Sequence, residues 1–259
     1  MLIRIAFILA FTASPSIYAQ VNNVTKKHYI GLSAGYNFSA LNDHNFAPLL
    51  YYERGKNYLL YYVGVSDKSI LSADVNFSNG KLKTKASRFF ESKYFKGEID
   101  LSYLRSAFTS ANSSMVHYFG AGIHSYNHYI DYDDQESFSF IMAHSIDFKY
   151  TASYKLSTRN NLQLQISLPF VVLLVRPPYN GYDEELKENR SNPFSLITNG
   201  RVTSINNYFA ISNQLIYSYS LSQRFDINCK YKFGLVYAPI EERLVHIHNE
   251  IFIGASFIL

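Results

Sequence analysis

The residues best equipped for chemistry lie near the C-terminus, in the run His246-x-His248-x-Glu250. On an extended strand, side chains two positions apart share a face, so two imidazoles and a carboxylate would line up on one side. His124, Tyr126 and His128 repeat that spacing on a segment rising toward Asp131, Asp133 and Asp134. Imidazoles and carboxylates so arranged can ligate a divalent metal or act as general acid and base in hydrolysis. His246, His248 and Glu250 are therefore the candidate catalytic residues, and His124, His128, His246 and His248 the candidate metal ligands. The same spacing also arises wherever polar residues line the mouth of a barrel, with no reaction attached.

Fuller catalytic signatures are absent from the sequence. His144 and Ser145 are neighbours, but on a strand they point to opposite faces and cannot act together as base and nucleophile. There is no His-x-Ser-Asn-Gly and no glycine loop that would cradle a phosphate. No cofactor is expected.

The elements that must position these side chains read as strands. Of 259 residues, 47% are hydrophobic and 17% charged, which excludes a disordered chain. No apolar run reaches the about 18 residues of a membrane-spanning helix. After Thr25 the sequence alternates apolar and polar with period two, as in Leu71, Ala73, Val75 and Phe77 against Ser72, Asp74 and Asn76. Ten such segments are predicted: 28–39, 57–66, 70–83, 94–105, 115–130, 138–156, 161–175, 203–221, 224–238 and 244–259. Counting Pro48–Glu53 and Leu82–Phe90 separately would give twelve. In the segment 115–130, Phe119, Ala121 and Ile123 are assigned to the lipid face.

Connections alternate short and long, the apolar faces carry many of the 23 Tyr and 20 Phe, and the polar faces carry Lys, Asp and Glu. Together these predict an all-β, antiparallel transmembrane barrel with short periplasmic turns and longer extracellular loops. A soluble periplasmic barrel of lipocalin type is the alternative, but its outward face should be polar. Pro169 falls within a strand of a wall that has no edge, so a bulge is expected there. Cys229, the only cysteine, falls on the lipid face and cannot form an internal disulfide.

Residues 1–19 read as a signal peptide: Arg4, the apolar run Ile5–Phe11, and a cleavage site after Ala19. A periplasmic segment, 20–27, then leads into the barrel at 28–259. On the final strand Ile251, Ile253, Ala255, Phe257 and Leu259 share one face. That ending resembles the C-terminal signal through which Gram-negative barrel-assembly machinery takes up its clients. With Leu in place of the usual Phe, it implies that machinery as a partner. The segments PLLYYERG (48–55) and SLPFVVLLVRPPY (167–179), in an Asn-, Lys-, Ser- and Tyr-rich chain, resemble outer-membrane barrels of Bacteroidota. The resemblance implies the outer membrane, with its lipids as surroundings, and brings no functional residues.

A ten-stranded bore is narrow. Lys96, Lys149, Lys155, Lys230 and Lys232 are expected inside it, facing Asp74, Glu98, Asp100, Asp147, Asp226 and Glu250. Charges so enclosed should pair across the lumen. The net charge of +4, without a Lys/Arg cluster, points away from nucleic acid. Three functions fit a monomeric barrel of this kind. It could be structural or a narrow pore, it could bind a partner through long loops such as Arg176–Arg201, or it could hydrolyse lipid or peptide at the histidine rim.

Overall fold

The computed structural model describes residues 26–45, 48–86, 91–109, 115–132, 137–176, 200–240 and 242–259, which excludes the expected signal peptide and most of the Arg176–Arg201 loop. Eleven strands follow in order: β1 (Lys27–Asp43), β2 (Leu50–Val65), β3 (Ser69–Thr84), β4 (Glu91–Thr109), β5 (Met115–Tyr132), β6 (Ser137–Lys155), β7 (Asn160–Val175), β8 (Arg201–Thr203), β9 (Phe209–Ser220), β10 (Phe225–Ala238) and β11 (Leu244–Ile258). All pairings are antiparallel, and β1 pairs with β11 from Tyr29↔Ile258 to Asp43↔Leu244, which closes the wall. The three-residue β8 and the longer β9 both pair with β7 and together fill one place, so the barrel has ten strands.

The alternation of the sequence becomes the two faces of the wall. Leu32, Leu60, Leu101, Ile123 and Ile253 are about half exposed or more, as lipid-facing side chains must be. Phe119 and Ala121 share that outer face with Ile123, and Cys229 is exposed on it. His144 also points outward, where its Nδ1 meets Ser125 Oγ at 3.0 Å, while its neighbour Ser145 is buried inside.

Above Tyr58, Phe77 and Phe95, toward the long-loop end, the outer face turns basic: Arg54 and Lys56 on β2, Lys81 and Lys83 on β3, Lys93 on β4. Strands of 16–19 residues, as in β1–β7, exceed the about 9–11 needed to cross a bilayer. The wall therefore continues beyond the apolar belt.

That extension corrects the expected loops. Residues 40–56 were expected to be one long connection, yet β1 runs to Asp43 and β2 begins at Leu50. Pro48–Glu53 is not an extra strand, since Leu50–Glu53 opens β2; of the other expected extra strand, Leu82–Thr84 ends β3 and 87–90 lie outside the described residues. Above the lipid belt the outer face turns basic while the inner face carries Leu41, Tyr51 and Leu82 beside Glu53, so the apolar-out, polar-in alternation that marks a strand lower down disappears. Lys155, expected inside, is instead exposed at the short-turn end of β6.

Apolar layers lie inside the barrel toward both ends. At the long-loop end Leu41, Tyr51, Leu82, Ile130, Leu174 and Leu244 are buried in one apolar cluster that extends down to Tyr126, Tyr208 and Val236. At the short-turn end Leu59, Tyr61 and Phe252 form a second cluster, and Ile70, Leu104 and Tyr118 a third. Between them lies a polar compartment.

Candidate functional site

The compartment begins beneath the upper apolar layer with three histidines and a carboxylate. Strand β11 delivers His246, His248 and Glu250 to the interior, all at most 4% exposed. Strand β5 delivers Tyr126 and His128, and β2 delivers Glu53, which is fully buried. His246 Nε2 lies 3.1 Å from Glu53 Oε2, and the Tyr126 hydroxyl lies 2.8 Å from His246 Nδ1. A carboxylate only accepts, so His246 donates through Nε2 and accepts the Tyr126 proton at Nδ1, which fixes the tautomer. His128 Nε2 sits 2.8 Å from the other Glu53 oxygen, and the His128 and His246 rings stack with centroids 5.1 Å apart.

Below this cluster is an ion-pair layer. Lys96 Nζ contacts Glu250 and lies 3.3 Å from Glu98, while Lys232 pairs with Glu98 and Asn76 Nδ2 donates to Glu250 at 3.0 Å. Lys149 pairs with Asp100, and Lys230 Nζ rests 3.3 Å from the centre of the Tyr61 ring. The expected pairing across the lumen is thus present for Lys96, Lys149 and Lys232. Leaving any one of these ions alone in the interior would cost several kcal/mol.

The two histidine segments meet, but not as rows of equal height. His128, rather than His124, joins His246 at Glu53. His124 lies lower, 3.9 Å from both Glu98 and Asp147. Asp131 is described but lies on the outward face one residue before the end of β5, and Asp133 and Asp134 lie outside the described residues. Glu53 was missed because it falls in the segment read as a loop; its one signal is the two-residue spacing of Tyr51, Glu53, Gly55 and Asn57.

Of the expected metal ligands only His248 enters a ligand-like set. One donor atom each from Glu98, His248 and Glu250 lie within 4.8 Å of one another. One imidazole with two carboxylates suits a divalent metal in kind. Here, however, the Lys96 ammonium already bridges both carboxylates, so the structure satisfies that charge with an amino acid. His248 packs instead on Gly234, where any Cβ would overlap its ring, and among the described residues neither of its nitrogens has a hydrogen-bond partner.

Deeper still is a cavity of about 110 Å³. Its lining includes Asp74, Glu98, Asp100, Asp147, Lys149 and Lys232. Asp147 accepts hydrogen bonds from Ser145 and, at 2.7 Å, from Ser167.

No protein-family model and no curated sequence matches the chain. Among solved structures it is similar to the outer membrane protease OmpT from Escherichia coli, at TM-score 0.52 and 8% identity, over 93% of this chain and 99% of that one. It also matches the translocator domain of the autotransporter NalP from Neisseria meningitidis at TM-score 0.43 and 8% identity, over 91% of this chain and 89% of that one. Neisserial surface protein A matches at TM-score 0.36 and 10% identity, over 90% and 99%. At these identities the likeness is one of fold: a closed barrel of the outer-membrane type.

Proposed function

We propose that the chain is a monomeric, non-enzymatic barrel of the Gram-negative outer membrane, closed to flow from end to end, whose polar interior is a binding compartment. The observation that carries this reading is the pair of apolar layers, Leu41 to Leu244 above and Leu59, Tyr61 and Phe252 below, enclosing the charged layer. A solute crossing the barrel would have to displace both. The outer-membrane placement rests on the aromatic belt with Arg54, Lys56, Lys81, Lys83 and Lys93 above it, at the height of anionic headgroups. In this reading the long loops face outward, residues 1–19 are removed on export, and the last strand is the handle for barrel assembly. The segments at 48–55 and 167–179 support a Bacteroidota-type barrel.

Planar-bilayer recording with the refolded full chain tests the closure. No steady current is expected; a reproducible unitary conductance would replace the closed compartment with a narrow pore.

A second reading, hydrolysis at the histidine cluster, is favoured by one observation, the Tyr126–His246–Glu53 relay. It requires the layer of Leu41 and Tyr51 to move aside, because Glu53 is fully buried and His246 is 1% exposed. Its test is peptide and phospholipid hydrolysis by the wild type and by His246→Ala and His248→Ala. Hydrolysis by the wild type that both substitutions abolish would establish it.

A further inference from the structure

Among the described residues, the wall of the barrel is broken at the height of the cavity. Strand β7 pairs with β9 up to Ser167↔Ser212 and resumes with β8 at Val172↔Thr203. Between these points, among the described residues, no ladder pair joins 168–171 to 204–211. On the β6 side of β7 the register shifts at the same height, between Ile146↔Val171 and Asp147↔Pro169. Across the break the chain makes a tight turn, with the Asn207 and Tyr208 amides donating to Ser204 O.

In hydrocarbon, backbone polar groups are tolerated outside a ladder only where protein or a water-filled space receives them. The break lies inside the apolar belt: Leu164 and Leu215 are exposed on one side of it, and Phe170, Val171, Val202 and Ile205 on the other.

The cavity lining passes through this break. It contains interior side chains such as Asp147 and Lys149, and also Ile166, Ile211 and Leu235, which belong to the outer, lipid-facing rows of β7, β9 and β10. A space bounded by both faces of a wall is an opening in that wall. At its threshold stands Asp147, 2% exposed and in register with Pro169. Its partners are the Ser145 and Ser167 hydroxyls and the His124 ring at 3.9 Å; among the described residues no Lys or Arg pairs with it. The cavity as a whole is lined by Asp74, Glu98, Asp100 and Asp147 against Lys149 and Lys232, an excess of negative charge.

We propose that the break between β7 and β9 is a lateral binding site for a cationic amphiphile from the surrounding membrane. Its ammonium head meets Asp147, and its hydrocarbon chain leaves past Ile211 and Ile166 into the lipid. A buried carboxylate without a cation favours a positive head, and the apolar doorway favours a chain that never leaves the membrane. The proposal deepens the reading of the interior as a binding compartment.

The sequence has no tryptophan, so Ile205→Trp beside the break supplies a single fluorescent reporter. The full chain carrying it is reconstituted in phosphatidylcholine vesicles and titrated with dodecylammonium brominated on the chain, and separately with brominated dodecanoate. Saturable quenching by the ammonium is expected, displaced by unbrominated dodecylammonium and not by dodecanoate. Asp147→Asn, which keeps one serine as a donor and turns the other into an acceptor, should weaken it at least tenfold, and Ala210→Phe, which fills the cavity behind the doorway, should remove it. Folding of each variant is checked by the mobility difference between boiled and unboiled samples; should Ala210→Phe not fold, Asp147→Asn decides alone. Quenching that merely tracks bulk partitioning for both head groups overturns the site, and so does saturable binding unchanged in Asp147→Asn. A conductance in bilayers would refute the closed compartment and leave these titrations standing, so the two failures are separable.

Discussion

At the level of single residues the interior is governed by charge accounting. Glu98 and Glu250 share the Lys96 ammonium, with Lys232 as the second cation on Glu98. Lys96→Met should therefore leave two facing buried carboxylates and destabilise the barrel by roughly 3–5 kcal/mol, the usual result of breaking a buried pair from one side. Adding Glu250→Gln to that variant should restore most of the loss, because the remaining Glu98 keeps Lys232. Urea titration of the reconstituted protein, followed by loss of the heat-modifiable gel form, measures both. If the double variant were no more stable than the single one, the ammonium would not be the partner that holds this layer.

Gly234 makes a separate residue-scale case. Because its missing Cβ leaves room for the His248 ring, Gly234→Ala should cost about 1–3 kcal/mol by overpacking. Pairing it with His248→Ala should relieve the clash, and the same titration reports whether it does. This scale is also where the sequence was hardest to read. His246, His248, Glu250 and Tyr126 were recognisable from two-residue spacing alone. Their meeting point, Glu53, was hidden because its strand had already left the lipid belt: the outward row there reads Leu50, Tyr52, Arg54 and Lys56 against an inward Tyr51, so no apolar-out, polar-in pattern marks it.

Strands and their connections set the next level. All ten wall positions were legible as alternating segments, and so was the irregularity at Pro169, where a residue without an amide hydrogen sits in a wall that has no edge. What the pattern could not carry was strand ends above the belt, the division of 203–221 into β8 and β9, or the relative height of His124 and His128. Strand shear decides that last point, and shear depends on the whole ring rather than on any local spacing.

One connection shows how the elements are tied at the long-loop end. Arg176, just after β7, pairs with Asp43 at 2.6 Å and donates to Ile240 O at 2.7 Å and to Glu242 O, joining β7, β1 and the β10–β11 connection. Arg176→Met should release that connection and leave Asp43 buried without its cation. The expected result is a loss of roughly 3 kcal/mol and new protease cleavage within 239–243 of the otherwise folded barrel. Mass spectrometry of the limited digest locates the cut; an unchanged digest would show that the clasp does not hold the connection. Glu242, at φ 74°, is the position in the same connection where glycine fits without strain. Glu242→Gly should therefore leave the digest as in the wild type, since Arg176 contacts the Glu242 carbonyl and not its side chain.

For the whole molecule the decisive feature is that the two apolar layers lie in series along one bore. A pathway through the barrel conducts only when both are open, because resistances in series add and the larger one rules. Trimming the upper layer with Leu41→Ala and Tyr51→Ala should leave planar bilayers silent, since Leu59, Tyr61 and Phe252 still close the short-turn end. Trimming the lower layer with Tyr61→Ala and Phe252→Ala should likewise give no current. Combining all four substitutions should produce small, discrete conductance steps, limited by the Lys96, Glu98 and Glu250 layer that remains between. Each large-to-small change costs about 2–5 kcal/mol, so folding has to be verified by heat-modifiable mobility before a silent bilayer is counted. Current through either two-residue variant alone would mean that the opposite layer does not seal. A folded but silent quadruple variant would instead place the barrier in what remains, the ion-paired layer or the Ile70, Leu104 and Tyr118 cluster, and adding Lys96→Met with Glu250→Gln to that background decides between them: current assigns it to the ion pairs, continued silence to the cluster.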